Sequence, residues 1–134
     1  MILKEIKPDT PITEEDISKL KRIIADIKSH PNSLAFHEPV DYIGWGLTDY
    51  IQIIKKPMDL STVLKNLQLN KYKYIIQVLD DIQLIWDNCK TYNIEGSDIY
   101  VQAEITEKYA EDVIKTFYIT PPKSMYPSKK QIEE

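Results

Sequence analysis

The hydrophobic positions of this chain recur with helical spacing in four segments. The first follows Thr13, which has Asp16 three residues later, a pairing typical of a helix N-terminus, and it ends near Ser29 ahead of Pro31. Its apolar residues share one face: Ile17, Leu20, Ile24 and Ile27. The spacing therefore predicts an amphipathic first helix.

Two more helices are predicted in the middle of the chain. The shorter one follows Asp59 as its cap, stops near Asn70 and carries Leu60, Val63, Leu64 and Leu67. The longer one runs from about Tyr74 to Tyr92, and its apolar face consists of Val78, Leu79, Ile82, Ile85, Trp86 and Cys89. A stripe held over several turns indicates a helix and not a strand.

A fourth helix is predicted to start near Asp98. Its apolar face contains Ala103, Ala110, Val113 and Phe117, with Ile105 and Tyr109 beside them. After Ile119, three prolines and a charged end indicate a tail without a core of its own. We therefore predict a lead at residues 1–12, one domain at 13–119 and a tail at 120–134.

The 30 residues from His30 to Asp59 have no sustained period of either kind. They are too apolar for a solvated linker, and compact domains rarely keep so long an irregular connection unless it is functional. We expect an ordered loop across one end of a helix bundle. Ligand sites are often found between the helices of such bundles.

Composition limits the function classes. A chain of 134 residues that is 43% hydrophobic fits one compact domain, and no apolar run approaches the length of a membrane span. The formal net charge of -4 disfavours nucleic acid as the main ligand and suits a cationic partner. The single cysteine, Cys89, excludes an internal disulfide, and we expect a buried thiol of a reducing compartment.

No catalytic constellation is evident. We expect His30 and His37 to be solvated loop residues, and the adjacent pairs Glu14-Glu15 and Asp80-Asp81 to lie on solvated helix faces. Gly44-Trp45-Gly46 lacks the rest of a phosphate-binding loop. The sequence therefore predicts no metal, no cofactor and no enzyme activity of this domain.

Three separated motifs carry a family resemblance. They are Phe36-His37-Glu38-Pro39-Val40-Asp41, then Asp49-Tyr50 with Ile53-Ile54-Lys55-Lys56-Pro57-Met58-Asp59-Leu60, and finally Asn88-Cys89-Lys90-Thr91-Tyr92-Asn93. Their order and intervals resemble those of a bromodomain over roughly Thr13 to Tyr118. Several motifs in register are far more specific than one short motif.

The resemblance implies an all-α, left-handed four-helix bundle with helices called Z, A, B and C and a pocket for acetyl-lysine between the Z-to-A and B-to-C loops. Asn93 corresponds to the residue whose amide donates to the acetyl carbonyl, and Tyr50 to the one that reaches it through a water. The remaining expected pocket residues are Phe36, Val40, Trp45, Leu47, Tyr92 and Ile99, with Leu34, Glu38 and Asp98 at the rim.

The chain departs from the family pattern beside the pocket. Many bromodomains have Trp-Pro-Phe where this chain has Leu34-Ala35-Phe36, which shortens an aromatic shelf. Trp45 stands where a smaller aliphatic residue is common, and it either flanks the peptide or packs on the bundle. Gly44 and Gly46 suggest an unusual backbone path there. Glu38, Asp41, Glu95 and Asp98 form either an acidic rim for a basic peptide or a merely solvated one.

Three function classes follow. The favoured one is a monomeric module that binds acetylated lysine on histone tails, or on other acetylated proteins, within a larger nuclear chromatin protein. The second is a scaffold of the same fold that binds a partner protein, disfavoured by Tyr50 and Asn93. The third is a hydrolase acting through loop residues, for which no nucleophile and base pair is evident. An attached catalytic domain in the parent chain stays open.

Overall fold

The computed structural model describes residues 6–118. Five α-helices are α1 (Glu14–Lys28), α2 (Tyr50–Ile53), α3 (Leu60–Gln68), α4 (Ile75–Tyr92) and α5 (Asp98–Tyr118), and a 3-10 helix spans Pro31–Phe36. Within the described residues, extended pairing is limited to one isolated bridge between Pro11 and Tyr74. The predicted all-α class is confirmed, while the predicted tail at 120–134 lies outside the described residues.

Helices α1 and α3 begin at the capping residues that the sequence predicts, Thr13 and Asp59. At the start of α1, Thr13 Oγ1 accepts from Asp16 N at 3.1 Å and Asp16 Oδ2 accepts from Thr13 N at 3.0 Å, the reciprocal capping box. At the start of α3, Asp59 Oδ2 accepts from Thr62 N at 2.9 Å. Each cap satisfies N–H groups that a helix N-terminus leaves without a partner.

The core lies between α1, α3, α4 and α5. Helices α1 and α4 each pack against both α3 and α5, so the four helices enclose one cluster of buried side chains. Trp86 is 1% exposed, as predicted for a core residue. Phe117, also predicted to be core, is only half-buried, and Ile23 and Ile114 are buried without having been predicted.

Two tyrosine-to-aspartate hydrogen bonds join α5 to α1, one near each end of α1. The Tyr118 hydroxyl donates to Asp16 Oδ1 at 3.0 Å, and the Tyr109 hydroxyl donates to Asp26 Oδ1. The start of α1 and the end of α5 are therefore neighbours. The first residue of α5, Asp98, lies at the opposite end of the bundle.

The segment between α1 and α3 is ordered, and it contains more regular structure than its pattern indicates. The 3-10 helix and α2 both lie inside it, each too short for a period to be recognised. Its first part is fixed to α5, because Thr106 Oγ1 donates to Asn32 O at 3.0 Å. Its later part is fixed to α4, because Asn88 Nδ2 donates to Lys56 O at 2.8 Å.

The prediction of solvated histidines is wrong. His37 Nε2 lies 2.8 Å from Ser33 Oγ and 3.2 Å from Lys28 O, and Ser33 itself is fully buried. His30 Nδ1 accepts from Asn32 N at 3.0 Å, and its ring lies 4.7 Å from that of Tyr109. Both rings thus satisfy polar groups where the loop leaves α1.

The prediction of a solvated Asp80-Asp81 pair is wrong for its second member. Asp81 is 7% exposed, with Oδ1 at 3.1 Å from Lys56 Nζ and Oδ2 accepting from the Tyr72 hydroxyl at 2.7 Å. Asp80 is exposed, as expected. Adjacent helix positions point in directions about 100° apart, so one carboxylate faces the loop and the other faces solvent.

Candidate functional site

Asn93 ends α4 and holds its side chain in a fixed orientation. The residue has φ -99° and ψ 156°, so the chain turns from helical to extended there. Asn93 Nδ2 donates to Cys89 O at 2.9 Å, one helical turn earlier, and lies 3.5 Å from Cys89 Sγ. A primary amide has two N–H donors, and this bond occupies one of them.

Tyr50 begins α2 and is held among aromatic rings. It is 6% exposed, its ring is nearly parallel to that of Tyr42 at 5.6 Å, and it meets the ring of Tyr92 edge-on at 4.9 Å. Burial raises the pKa of the Tyr50 hydroxyl, and the neighbouring Cys89 thiol raises it further. The hydroxyl is therefore a neutral donor at physiological pH.

A hydrogen bond joins Asp49 and Tyr92, the residues that directly precede Tyr50 and Asn93. The Tyr92 hydroxyl donates to Asp49 Oδ1 at 2.7 Å, and this bond raises the pKa of Tyr92. Asp49 precedes Tyr50 and Tyr92 precedes Asn93, so the bond brings the two expected polar residues to the same end of the bundle. Sequence reasoning did not assign Asp49 to the site, because its contact comes from a residue 43 positions away.

The expected apolar residues differ in their surroundings. Phe36 is 6% exposed and meets the Trp86 ring edge-on at 5.3 Å, so most of its surface belongs to the core. Val40 is 38% exposed, and Leu47 is half-buried. Ile99 is half-buried, and its backbone carbonyl accepts from Cys89 Sγ at 3.5 Å, which joins the end of α4 to the start of α5.

The backbone from Asp41 to Leu47 forms a tight turn. Asp41 Oδ1 accepts from Gly44 N at 2.9 Å, and a Cβ on Gly44 would lie 2.1 Å from Asp41 Oδ2. Gly46 has φ +69°, a conformation that favours glycine. Trp45, between them, is 77% exposed, so the alternative that it packs on the bundle is wrong.

This turn and α2 border a shallow depression of about 390 Å³. Its lining is mostly apolar and comprises Tyr42, Ile43, Gly46, Leu47, Thr48, Ile51 and Gln52. Leu47 is the single expected pocket residue in that lining. The depression is therefore separate from Asn93, and Tyr42 stands between it and Tyr50.

The expected rim residues lie on the surface. Leu34 is 75% exposed, and Asp98 is exposed at the start of α5. Glu38 Oε2 accepts from Ser61 Oγ at 2.8 Å, which connects the loop to the first turn of α3. Of these three rim residues, Glu38 therefore already has a hydrogen-bond partner within the fold.

Chemical groups for catalysis or metal binding do not converge here. Residues 6–118 contain no group of three or more His, Cys, Asp or Glu side chains placed to hold a metal ion. Ser33 and His37 are in contact, but a fully buried hydroxyl cannot reach a substrate. Burial also raises the pKa of the Cys89 thiol, which keeps it protonated and unreactive.

The family model for bromodomains matches residues 20–105. The chain belongs to the bromodomain family. Transcription factor GTE1 of Arabidopsis thaliana is 38% identical over 109 residues, which are 81% of this chain and 27% of that protein. Nucleosome-remodeling factor subunit NURF301 of Drosophila melanogaster is 36% identical over 106 residues, 79% of this chain and 4% of that protein.

A third relative, bromodomain-containing factor 2 of Saccharomyces cerevisiae, is 34% identical over 102 residues, 74% of this chain and 16% of that protein. The chain thus spans about a quarter or less of the curated relatives it matches. The described part of this bromodomain has no helix long and apolar enough to cross a membrane.

Proposed function

We propose that this bromodomain binds acetylated lysine, on histone tails in the first instance, and makes or breaks no covalent bond. The observation that carries the proposal is the orientation of Asn93. One amide N–H is held by Cys89 O, which fixes the rest of the amide at the end of α4, at the same end of the bundle as the buried Tyr50 side chain. A fixed donor beside apolar side chains suits a neutral amide ligand.

The chemistry of the modification explains the selectivity. Acetylation converts a cationic ammonium into a neutral amide with one strong acceptor and a methyl group. In our proposal, Asn93 donates to that acceptor, Tyr50 reaches it through a water, and Val40, Leu47 and Ile99 contact the methyl group and the stem. An unmodified lysine would lose its hydration without gaining a carboxylate partner, which costs several kcal/mol.

The remaining assignments belong to the same proposal. The Tyr92 ring forms the aromatic wall of the pocket, and its hydroxyl holds Asp49. Phe36 closes the floor of the pocket from the core side, and Trp45 flanks the peptide stem. The exposure of Trp45 together with that of Ile43, two residues earlier, supports that last role, because grouped apolar side chains in water mark interaction surfaces. Leu34 and Asp98 are available to the peptide at the rim.

The cellular setting is also a proposal. Relatives named as transcription factors and as a nucleosome-remodeling subunit support a chromatin role within a longer nuclear protein. We further propose that residues 13–119 form the folding unit and that it acts as a monomer. Acetylated proteins other than histones are further candidate partners.

Calorimetry with matched acetylated and unmodified histone-tail peptides tests this function, with Asn93→Ala as the control variant. We expect acetyl-dependent binding in the wild type and a loss of roughly 5- to 150-fold in affinity in the variant, the range for one hydrogen bond of about 1–3 kcal/mol. Equal binding of both peptide forms would contradict the proposal.

A scaffold that binds a partner protein is the second candidate. The apolar depression beside α2 and the 80% exposure of Ile43 favour it, since such surfaces often mark protein contacts. A folded protein that binds no acetylated histone peptide would support this alternative or an acetylated target outside histones.

A further inference from the structure

Asp49 combines three features that the proposed acetyl-lysine contact does not use. Its Oδ1 accepts from the Tyr92 hydroxyl at 2.7 Å, so the carboxylate is held in place. The residue is exposed, and within residues 6–118 Asp49 takes part in no ion pair. A fixed carboxylate without a cation is thus displayed between the two loops.

The position of this carboxylate follows from its neighbours in sequence. Tyr50 and Asn93, proposed to face the acetyl group, are each covalently adjacent to one partner of the Asp49 and Tyr92 hydrogen bond. The rings of Tyr50 and Tyr92 also meet at 4.9 Å. Residues of an extended peptide are about 3.3–3.6 Å apart, so a long cationic side chain next to a bound acetyl-lysine is the group we infer to reach Asp49.

Two other carboxylates between α1 and α3 accept hydrogen bonds from groups that belong to the local fold. Asp41 accepts from Gly44 N and Glu38 accepts from Ser61 Oγ, so both stabilise the local fold. Asp49 is also held by a neutral donor, but that donor is the hydroxyl of Tyr92 at the end of α4, the residue before Asn93. The raised pKa of Tyr92 agrees with a charged acceptor at this position.

We propose that Asp49 determines specificity by pairing with a cationic side chain that flanks the acetyl-lysine, and that the Tyr92 hydroxyl positions it for this contact. The inference rests on the proposed acetyl-lysine function. The preferred ligand is then an acetyl-lysine in a basic segment with an arginine or unmodified lysine near it. The net charge of the protein, -4, acts in the same direction.

Peptides that carry one acetyl-lysine in a glycine and serine background test the proposal. Arginine is placed at each of the three positions on either side, one at a time, and compared with citrulline, which has the same shape without the charge. Affinities are measured for the wild type, Asp49→Asn and Glu15→Gln. Asn retains an oxygen that accepts from Tyr92, and Glu15 is an exposed acid at the far end of the bundle.

In the wild type we expect arginine to bind about 2- to 5-fold tighter than citrulline at one or two positions, the range for an exposed ion pair. Asp49→Asn should bring this ratio to one and leave the citrulline peptide unaffected, whereas Glu15→Gln should keep the ratio. Salt should reduce the ratio in the wild type, because exposed charges are screened.

A ratio of one in the wild type at every position overturns the specificity proposal, and so does an unchanged ratio in Asp49→Asn. In both cases acetyl-dependent binding persists, so the proposed function survives. A lack of any preference for acetylated over unmodified peptide overturns both proposals together.

The role of the Tyr92 hydroxyl in positioning Asp49 is tested by a variant that removes the hydrogen bond between them. Tyr92→Phe keeps the ring against Tyr50 and frees the carboxylate of Asp49. We expect it to lower the ratio of arginine to citrulline binding without abolishing acetyl-dependent binding. A ratio equal to that of the wild type would contradict the role assigned to the hydroxyl.

Discussion

The side-chain amide of Asn93 is hydrogen-bonded to the backbone carbonyl of Cys89, one turn earlier in α4. The same carbonyl also accepts from the backbone N–H of Asn93 at 3.0 Å, so one oxygen receives two hydrogen bonds from this residue. The side-chain bond therefore reinforces the end of the helix and sets the rotation of the amide. A substitution at Asn93 changes both stability and any contact made by the second N–H.

The Asn93→Asp variant tests these two roles without removing the side chain, because Asp has nearly the same shape as Asn. At neutral pH its carboxylate has no N–H to donate and faces the Cys89 carbonyl with a like partial charge. We expect acetyl-peptide affinity to fall by about tenfold or more, and the melting temperature to fall below that of Asn93→Ala. Calorimetry and thermal unfolding measure the two effects.

Asn88 offers the matched control for this pair of variants. It lies on the same helix and makes the same kind of bond, Nδ2 to Lys56 O at 2.8 Å. Asn88→Ala should lower the melting temperature while acetyl-peptide affinity stays within about twofold, since the loss is structural. An affinity loss like that of Asn93→Ala would show that loop order, and not a direct contact, explains both variants.

The Tyr72 hydroxyl is predicted to stabilise the fold through Asp81. Burial raises the pKa of Tyr72, so the hydroxyl stays protonated and donates to a carboxylate that is 7% exposed. Tyr72→Phe should lower the free energy of unfolding by about 1–3 kcal/mol, because Asp81 then keeps only the partly exposed Lys56. Urea unfolding measures this change.

Tyr100→Phe is the comparison for that experiment. Tyr100 is also half-buried, and among residues 6–118 its hydroxyl makes no hydrogen bond. The Tyr100→Phe substitution should change the free energy of unfolding by less than about 0.5 kcal/mol. If both variants lose equal stability, the Tyr72 effect does not come from its bond to Asp81.

Asp80 gives a prediction for the pH dependence of stability. The pKa of the Asp80 carboxyl is raised above its ordinary value, first by partial burial and then by the charge of Asp81. The folded state therefore binds the Asp80 proton more tightly than the unfolded state does. The negative charge of Asp80 lowers stability once pH exceeds the pKa of this carboxyl in both states.

Replacing this carboxyl by a neutral amide should remove that penalty. Asp80→Asn should melt at a higher temperature than the wild type at pH 7, and the difference should vanish as pH falls below 3.8. Thermal unfolding across this pH range measures it. A difference that is constant with pH would mean that the amide acts through some other contact.

Ser33 is predicted to stabilise the exit from α1. Its fully buried Oγ lies 2.8 Å from both His30 O and His37 Nε2. Ser33→Ala removes these buried bonds, while His30 O keeps the Ser33 backbone N–H and His37 Nε2 keeps Lys28 O, so it should cost about 0.5–1.5 kcal/mol in unfolding free energy. Ser29→Ala, which removes an exposed bond to Asp26 O, should cost clearly less. The reverse order would show that burial is not the cause.

The long helices could be predicted because their signals are local. Thr13 and Asp59 are capping residues within three positions of their partners, and the α4 stripe repeats over five turns. The family motifs likewise located Tyr50 and Asn93 at one end of the bundle. Their proposed roles in binding stay predictions.

The wrong predictions share a physical origin in contacts between distant segments. His37 is half-buried because its ring satisfies Lys28 O, nine residues earlier. Asp81 is buried because Lys56, from the loop, and Tyr72, from before α4, both turn toward it. Spacing along one helix indicates neighbours on that helix, and it contains no information about the partner a loop brings.

The tyrosine bonds between α1 and α5 determine how this unit fits into a longer polypeptide. Because Tyr118 meets Asp16, the chain enters and leaves at one pole, while α5 extends about 30 Å to the other, where Asn93 lies. Any sequence attached at these two points would therefore lie at the pole opposite the loops that we propose meet the acetyl-lysine, so it would not obstruct them.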